Sequence, residues 1–267
     1  VLRSITLNRV TEFVGVPTMY IRLMDTFDPA VHSMNSIRQF LSGGAPLSAE
    51  TQLAVEAKWG KPFYQGYGLT ECSPTVSRQR VGRPRKPGCV GPAVDKVEIR
   101  ILDEEDRELP RGEAGEVCAR GPNVMKGYFN KEDATRQAMR NGWLHTGDVG
   151  YLDPEGELFI TDRKKDLIIR GGENISPGAV EDILFKHPAV LEAAVVGIPD
   201  PVYGEEVKAF VVLKQGFQAS EKELLEHCLK HIPRFKAPKS IGFLKELPKN
   251  SVGKILKRAL RDMEKKK

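Results

Sequence analysis

The chain has 267 residues, of which 40% are hydrophobic and 29% charged, a composition typical of soluble domains and long enough for one large domain or two smaller ones. The net charge of +5 comes from the tail 249–267, whose eight basic and two acidic residues give +6, so the remaining 33 basic and 34 acidic residues sum to −1. This balance excludes the broad basic surface that nucleic-acid binding needs, and we expect no nucleic-acid partner.

We expect a cytoplasmic protein, because the sequence shows no targeting signal and its cysteines are widely spaced. No run of about 20 apolar residues occurs, so we expect no transmembrane segment. The chain opens at Val1 without a basic or apolar leader, which argues against secretion and predicts a fragment of a longer protein. The four cysteines lie far apart without CxxC spacing, which favours a reducing compartment over a disulfide framework or a zinc ribbon.

The first part of the chain predicts an α/β layer followed by a mostly β section. Apolar residues at helical spacing predict a helix over 51–58, and 61–71 then predict a short strand and a Gly-rich loop. From 96 to 151 the spacing of apolar residues shortens to the alternation typical of strands, with a brief strand predicted over 116–119. Residues 153–156 predict a turn between two strands.

The second part of the chain predicts a compact α+β domain. A strand over 166–169 precedes a helix that Ser176 caps and Pro177 begins. The runs 193–196 and 208–213 are rich in β-branched residues and predict two strands of a small sheet.

Two further helices complete this second part. Ser220 and Glu223 predict a capping box, and a final amphipathic helix is expected after Gly253. Cys228 falls on the apolar face of the capped helix, so core packing is favoured over a zinc site with His227 and His231. The predicted fold class is therefore α/β plus α+β, with a large domain over 1–162 and a small, mobile domain over 163–267.

Two Gly-rich stretches carry candidate nucleotide chemistry. In 42–48 (SGGAPLS), residues without bulky side chains let a ring or phosphate approach the backbone, although a plain turn before a helix near Leu47 explains the same pattern. In 65–71 (QGYGLTE), a hydroxyl can bond a phosphate oxygen and a carboxylate can hold Mg²⁺; a surface loop is the alternative.

Three further stretches contain polar groups at predicted turns. In 142–148 (GWLHTGD), Asp148 offers two acceptor oxygens that suit ribose hydroxyls, while His145 beside a Trp favours a structural role. The charged residues of 162–174 predict a solvated junction between domains. The stretch 248–254 (PKNSVGK) lacks P-loop spacing, so Lys254 is either a tail lysine or a catalytic cation.

Taken in order and spacing, the five stretches resemble the motifs of the adenylate-forming superfamily, which contains acyl-CoA synthetases, luciferases and peptide-synthetase adenylation domains. The strings 66–74 (GYGLTECSP) and 250–254 (NSVGK) are most similar to fatty-acyl-CoA synthetases. The resemblance covers essentially the whole chain. It implies the C-terminal half of an enzyme for medium- or long-chain fatty acids, with an upstream phosphate loop missing.

The resemblance also implies the site residues. The catalytic residues would be Lys254, Thr70 and Glu71, and Glu71 would hold Mg²⁺. ATP or AMP would be bound by a larger set, namely Gly44, Ala45, Pro46, Gly66, Tyr67, Gly68, Thr70, Asp148, Arg163 and Lys254.

The implied reaction uses ATP, Mg²⁺, a small-molecule carboxylic acid and coenzyme A, and releases AMP and pyrophosphate after an acyl-adenylate intermediate. The small domain would swing about a hinge at Lys165, and Gly171 with Gly172 would line the coenzyme A tunnel. Two alternatives stay open: a truncated, non-catalytic nucleotide-binding fragment, and an adenylation domain that loads a carrier protein. The chain ends 13 residues after Lys254 without a carrier domain, which favours coenzyme A. A homodimer is left open.

Overall fold

The computed structural model describes residues 1–251 and 253–264, so Val252 of the 248–254 stretch and the last three residues of the basic tail lie outside the described residues. The chain divides into two compact units, Val1–Ile160 (unit 1) and Thr161–Lys267 (unit 2). Within the described ranges, no helix is long and apolar enough to cross a membrane.

The first sheet of unit 1 alternates with helices along the chain. Its strands are β1 (Glu12–Gly15), β2 (Gln39–Ser42), β3 (Phe63–Gly68) and β4 (Thr75–Arg78), in that spatial order. The helices are α1 (Leu2–Leu7), α2 (Pro17–Thr26) and α3 (Ala49–Trp59). Strands β1 to β3 are parallel and β4 is antiparallel to β3. The carboxyl ends of β2 and β3 therefore meet at one edge of the sheet, where ligands of α/β sheets usually bind.

An aromatic core holds this sheet against its helices. Tyr20, Phe40 and Phe63 are fully buried, and the ring centroids of Tyr20 and Phe63 lie 4.4 Å apart. The Tyr20 hydroxyl donates a hydrogen bond of 2.9 Å to the carbonyl oxygen of Phe13. A buried tyrosine with a satisfied hydroxyl contributes large apolar area without a desolvation penalty.

The second sheet is antiparallel and belongs to unit 1, except that the last three residues of β9, 161–163, belong to unit 2. Its strands are β5 (Glu98–Leu102), β6 (Gly115–Arg120), β7 (Met139–Arg140), β8 (Trp143–Leu152) and β9 (Leu158–Arg163), and α4 (Glu132–Ala138) precedes β7. The order is β5-β6-β8-β7, with β9 paired to β8. The predicted strand over 116–119 and the turn over 153–156 are confirmed.

Unit 2 is a five-stranded sheet covered by helices. Its strands are β10 (Ile168–Arg170), β11 (Glu173–Ile175), β12 (Val190–Asp200), β13 (Gly204–Leu213) and β14 (Ser240–Phe243). The order is β11-β10-β13-β12, and β14 pairs in parallel with β13. The predicted strands 193–196 and 208–213 are the centres of the longer hairpin β12–β13, whose residues face each other from Val190 to Leu213.

The helices of unit 2 begin where the sequence predicts. They are α5 (Pro177–Phe185), α6 (Glu221–Leu229) and α7 (Lys257–Glu264). The Ser176 side chain accepts a hydrogen bond from the amide of Ala179, and Ser220 with Glu223 forms the complete capping box. Cys228 is fully buried in the apolar core, as expected. The predicted fold class, α/β plus α+β, is confirmed.

The turn before a helix near Leu47 is confirmed: α3 begins at Ala49, where Ser48 caps it and accepts from the amide of Thr51, and it contains the predicted 51–58. Three local predictions were wrong. The strand expected over 166–169 begins at Ile168, because Lys164–Asp166 forms a single 3-10 turn.

The two other corrections concern the motifs themselves. Residues 66–68 lie in β3 rather than in a loop, and Asp148 lies inside β8 rather than on a short turn. Glycines in β3 and β8 interrupt the alternation of apolar and polar residues that identifies a strand. At Gly68 the glycine is required, because a Cβ there would lie 1.8 Å from the carbonyl oxygen of Pro74.

The junction predicted to be solvated also contains a buried charge. Asp162 is 9% exposed, and its carboxylate accepts hydrogen bonds from the Ser176 hydroxyl and, at 3.1 Å, from the Gly178 amide. Burial raises the pKa of Asp162, and the two hydrogen bonds act in the opposite direction. The carboxylate therefore supports the start of α5 instead of facing solvent.

Candidate active site

The two Gly-rich motifs of unit 1 are neighbours at the carboxyl ends of β2 and β3. A Cβ on Gly43 would lie 3.5 Å from the carbonyl oxygen of Gly66. Gly44 has a φ of +80°, in the left-handed region that favours glycine, and it is exposed, as is Pro46. The half-buried Ala45 lies between them. The structure therefore brings together the two backbone segments that were predicted to frame adenine.

Tyr67 and Asp148 are joined directly, although 81 residues separate them. The Tyr67 hydroxyl donates a hydrogen bond of 2.8 Å to Oδ2 of Asp148. Burial, and after it the negative charge of Asp148, raises the pKa of Tyr67 above its usual range, so the phenol stays protonated. Asp148 is only 4% exposed, so the carboxylate is held in a fixed orientation.

The backbone around Asp148 is held by three further hydrogen bonds. The Thr146 hydroxyl donates to the carbonyl oxygen of Val117 at 2.7 Å and accepts from the Asp148 amide at 3.1 Å. The Gly147 amide donates to Oε1 of Glu116 at 3.0 Å. Gly147 has a φ of +70°, so this irregularity of β8 needs glycine. The Asp148 carboxylate is thus preorganised to accept hydrogen bonds from a polar ligand.

Glu71 lies on a short 3-10 turn after β3 and is held by Tyr128. The Tyr128 hydroxyl donates to Oε1 of Glu71 at 2.9 Å, and the Met125 amide donates to the Glu71 carbonyl oxygen at 2.7 Å. Thr70, on the same turn, is exposed. A half-buried carboxylate oxygen is a hard ligand of the kind Mg²⁺ prefers, so Glu71 fits the predicted metal in donor type.

A buried charged network behind Asp148 was missed by the sequence interpretation. His145 Nδ1 lies 2.9 Å from a guanidinium nitrogen of Arg140 and 3.2 Å from Oε2 of Glu116. Arg140 also pairs with Asp106 at 2.9 Å. The structural role expected for His145 is consistent with these contacts, since it packs among strand residues rather than at an opening.

This network also contains the one group of His, Cys, Asp and Glu side chains, among the described residues, that could hold a metal ion. Its members are Glu116, Cys118 and His145, all buried. The Arg140 guanidinium already places positive charge beside the same His145 nitrogen. A second cation there would be repelled, so we interpret the group as a structural ion-pair network.

In unit 2, Lys254 closes a tight turn before α7. The Lys254 amide donates to Oδ1 of Asn250 at 2.8 Å, and the Asn250 amide donates to the Lys254 carbonyl oxygen at 2.9 Å. Lys254 is half-buried. On either side, Lys249 pairs with Glu192 and Lys257 pairs with Glu181. The Lys254 backbone is thus bonded to Asn250 in both directions, and its cation could neutralise negative charge beside it.

Gly171 and Gly172 form the turn between β10 and β11. Their φ angles are +58° and +87°, and both residues are exposed. The Gly171 amide donates to the Tyr203 carbonyl oxygen at 2.9 Å. The preceding Arg170 stacks on the Tyr203 ring at 4.1 Å and forms a bidentate pair with Glu206. The turn is thus fixed at its base and lacks side chains at its tip, which suits close approach of a thin ligand.

The predicted hinge, Lys165, is exposed on the 3-10 turn Lys164–Asp166. Its neighbour Asp166 pairs with Arg261 of α7 at 3.0 Å. Arg163, predicted to bind ribose, is half-buried at the end of β9. The structure thus places Gly44, Gly66, Tyr67, Glu71 and Asp148 in unit 1 and Lys254, Gly171, Gly172, Lys165 and Arg163 in unit 2. Their roles stay predictions.

Two family models match the chain. A model described as AMP-binding enzyme matches residues 1–129, and a model described as AMP-binding enzyme C-terminal domain matches residues 179–254. The long-chain-fatty-acid–CoA ligase of Bacillus subtilis (strain 168) is 44% identical over 264 residues, which are 98% of this chain and 47% of that protein. The 2-succinylbenzoate–CoA ligase of Bacillus mycoides (strain KBAB4) is 45% identical over 230 residues, 86% of this chain and 47% of that protein.

Solved structures likewise match nearly all of this chain over about half of their own length. ATP-bound MatB from Rhodopseudomonas palustris superposes with a TM-score of 0.91 at 38% identity, covering 97% of this chain and 52% of that one. The anthranilate CoA ligase AuaEII in complex with anthranoyl-AMP superposes with a TM-score of 0.91 at 33% identity, covering 98% and 51%. The chain spans about half the length of the relatives it matches.

Proposed function

Because the chain belongs to the AMP-binding enzyme family, we propose that the protein joins a carboxylic acid to coenzyme A at the expense of ATP, in two steps through an acyl-adenylate. The observation that carries this proposal is the Asp148 carboxylate, which Tyr67 holds in a fixed orientation in the unit that contains the Gly-rich edge of the first sheet. Such a group suits a ribose. The ligase relatives support the reaction class.

The first step joins the acid to the α-phosphorus of ATP. A carboxylate oxygen attacks phosphorus, the bond to the bridging oxygen breaks, and pyrophosphate leaves with its electron pair. Both reactants are anionic, so their approach costs Coulomb energy unless positive charge lies between them. Lys254 would supply that charge beside the carboxylate and the α-phosphate. Mg²⁺, which Glu71 would hold, neutralises phosphate charge when bound.

The second step transfers the acyl group to sulfur. The coenzyme A thiol loses its proton to water and attacks the acyl carbon, the C–S bond forms, the bond from that carbon to the phosphate oxygen breaks, and AMP leaves with the electron pair. Gly171 and Gly172 would let the thin thiol arm of coenzyme A pass, because neither carries a side chain at its exposed turn. We further propose that unit 2 changes position about Lys165 between the steps, so that Lys254 acts first and the glycine turn second.

For the acid we propose a medium- or long-chain fatty acid. The relatives named as long-chain-fatty-acid–CoA ligases match 94–98% of this chain at 40–44% identity. The relatives named for 2-succinylbenzoate and anthranilate make an aromatic acid the second candidate. The four cysteines are free and buried, which supports a cytoplasmic site for the reaction. A homodimer stays a prediction.

The test is mass spectrometry of the complete protein after incubation with ATP, Mg²⁺, coenzyme A and a mixture of aliphatic and aromatic acids. We expect acyl-CoA and AMP, and acyl-AMP when coenzyme A is left out. Product formed only from aromatic acids would overturn the fatty-acid proposal and keep the ligase. Absence of both products, with ATP intact, would favour a non-catalytic nucleotide-binding protein.

A carrier protein is the remaining acceptor to separate from coenzyme A. Acyl-AMP formed without acyl-CoA, followed by acylation of an added phosphopantetheinyl carrier, would identify an adenylation domain. Acylation of coenzyme A in preference to the carrier supports the proposed ligase.

A further inference from the structure

Two ion pairs flank the Lys254 turn, one on each side. Lys249 lies before the turn, and its ammonium group lies 2.6 Å and 2.8 Å from the two carboxylate oxygens of Glu192 on β12. The Glu192 side chain is 4% exposed and that of Lys249 is 18% exposed. Contact with both oxygens fixes the direction as well as the distance of the lysine.

The second pair lies after the turn. The Lys257 ammonium group, at the first residue of α7, lies 2.7 Å from Oε1 of Glu181 on α5. The same oxygen accepts a hydrogen bond of 2.7 Å from the Val195 amide of β12. Burial raises the pKa of Glu181, and Lys257 acts against that effect. Glu181 therefore ties α7, α5 and the central hairpin together at one atom.

The segment between the two lysines is closed on itself. Lys249 and Ile255 form an antiparallel bridge, and the reciprocal hydrogen bonds of Asn250 and Lys254 lie inside it. Both sides of the segment are therefore tied to other elements of unit 2, Lys249 through Glu192 and Lys257 through Glu181. Leu260, fully buried, packs α7 onto the same side of the sheet as Leu247.

From this arrangement we infer that Glu192 and Glu181 are positioning residues for acyl-adenylate formation: through Lys249 and Lys257 they hold the turn that presents Lys254 to the reacting groups. The inference rests on the proposed function of Lys254. It adds that two glutamates on other elements of unit 2 set where its charge lies.

Ion pairs of this kind are better suited to fixing geometry than to stabilising a fold. Removing charges from water costs about as much free energy as their attraction returns, so apolar residues would stabilise the fold as well. A reacting group that is displaced by about 1 Å, in contrast, loses on the order of 10²-fold in rate. The glutamates are therefore expected to act most strongly on the step of the reaction that uses Lys254.

The experiment separates the two half-reactions in the complete protein. Adenylate formation is measured by pyrophosphate release without coenzyme A, and thioester formation is measured from supplied acyl-adenylate. Glu192→Gln and Glu181→Gln remove each charge at nearly constant volume. Glu264→Gln is the matched control. Glu264 ends α7, the helix that Lys257 begins, and its carboxylate pairs with Lys208 of β13 at 2.5 Å. Its side chain is 12% exposed, similar to those of Glu192 and Glu181, and it lies at the other end of α7 from the turn.

We expect each glutamine variant at the turn to lose roughly 10- to 100-fold in adenylate formation, with thioester formation within about twofold of wild type. Lys249→Arg, which keeps the charge, should retain most of the adenylate rate. In a Lys254→Ala background, Glu192→Gln should add no further loss, because the group it positions is already gone. Glu264→Gln should leave both half-reactions unchanged.

A second readout does not depend on activity. Competitive acylation of lysines followed by peptide mass spectrometry gives the relative reactivity of Lys254 in each variant. We expect this reactivity to change in Glu192→Gln and Glu181→Gln and to stay at the wild-type level in Glu264→Gln. An active wild type with equal losses in both half-reactions, or a further loss in the Lys254→Ala background, would overturn the inference. An inactive wild type with changed Lys254 labelling would overturn the proposed function and keep the positioning.

Discussion

The two units hold their candidate site residues in different ways. In unit 1, Tyr67 and Glu71 each bond directly to a side chain more than 50 residues away, namely Asp148 and Tyr128. In unit 2, Lys254 lies on a local turn, and Lys249 and Lys257 on either side of it form ion pairs with other elements. Under the proposed function, Tyr67 and Glu71 act on the nucleotide, and each is fixed by its own hydrogen bond. Lys254 acts in one step only, and the segment that carries it is held on both sides.

This difference determines how substitutions should act. In unit 1, removing one hydroxyl should weaken nucleotide binding in every step that uses the nucleotide. In unit 2, a change at one turn should affect one half-reaction and spare the other. Measuring the half-reactions separately therefore tests the comparison directly.

The largest effect is expected for Lys254→Ala in the complete protein. Loss of one preorganised charge at a reacting centre costs on the order of 10²- to 10³-fold in rate. Adenylate formation should fall by that factor, while thioester formation from supplied acyl-adenylate persists. Pyrophosphate release and acyl-CoA mass spectrometry measure the two rates. Equal losses in both would contradict a role confined to the first step.

Gly172→Leu should produce the opposite split. A leucine at the turn would fill the space proposed for the thiol arm, so thioester formation should fall by about 10²-fold while adenylate formation persists. The matched control is Gly216→Leu, because Gly216 has a φ of +80° against +87° for Gly172, and a Cβ at either position meets open space.

Both leucines carry the same backbone cost, about 1–2 kcal/mol for a side chain in the left-handed region. Urea unfolding should therefore show similar destabilisation in the two variants. Loss of thioester formation in Gly216→Leu as well would mean that strain, and not blockage, explains the result for Gly172.

Tyr67→Phe tests the hydrogen bond that orients Asp148. A hydrogen bond to a charged group contributes about 1.5–3 kcal/mol, so its loss should raise the KM for ATP by roughly 10-fold or more, with a smaller effect on kcat. Tyr64→Phe is the control, since the Tyr64 ring packs under the Arg85 guanidinium. An unchanged KM for ATP in Tyr67→Phe would remove the support that this contact gives to nucleotide binding.

Local patterns predicted much of the fold and the motifs. The caps at Ser176 and Ser220 follow from residues close in sequence, as do the β-branched runs at the centres of β12 and β13. The motif stretches marked Tyr67, Asp148 and Lys254 as candidates. The structure adds the direct contact between Tyr67 and Asp148, which sequence spacing alone does not contain.

The supporting residues were missed because their partners lie far apart along the chain. Lys249 and Glu192 are 57 residues apart and meet only through the arrangement of unit 2. One signal was available: Glu192 interrupts the apolar run 190–196, and a charge at a core-facing strand position needs a partner. Glu206, which enters the buried part of β13, carries the same signal. Such acids mark where an ion pair is required, although they do not identify its partner.

The smallest effect on the reaction is expected for Glu206→Gln, which tests the base of the glycine turn by stability instead of rate. The Glu206 carboxylate accepts from Arg170 at 2.7 Å and 3.0 Å, and its side chain is 5% exposed. Burial acts to raise the pKa of Glu206. The hydrogen bonds and charge of Arg170, together with a hydrogen bond from the Val207 amide, outweigh burial and lower this pKa below its usual range. Removing the charge should destabilise the protein by about 2 kcal/mol at pH 7.

The pH dependence of that loss has a definite sign. Because the pKa of Glu206 is lower in the folded protein than in the unfolded chain, its contribution is complete above about pH 4.3, the usual glutamate value, and is lost as the pH falls further. The difference in unfolding free energy between wild type and Glu206→Gln should therefore be constant near neutrality and shrink in acid. Glu226→Gln, at the exposed pair with Lys222, should change stability by less than about 1 kcal/mol throughout. A difference that grows in acid would mean that burial, and not Arg170, dominates at Glu206, and the glycine turn would then lose its proposed anchor.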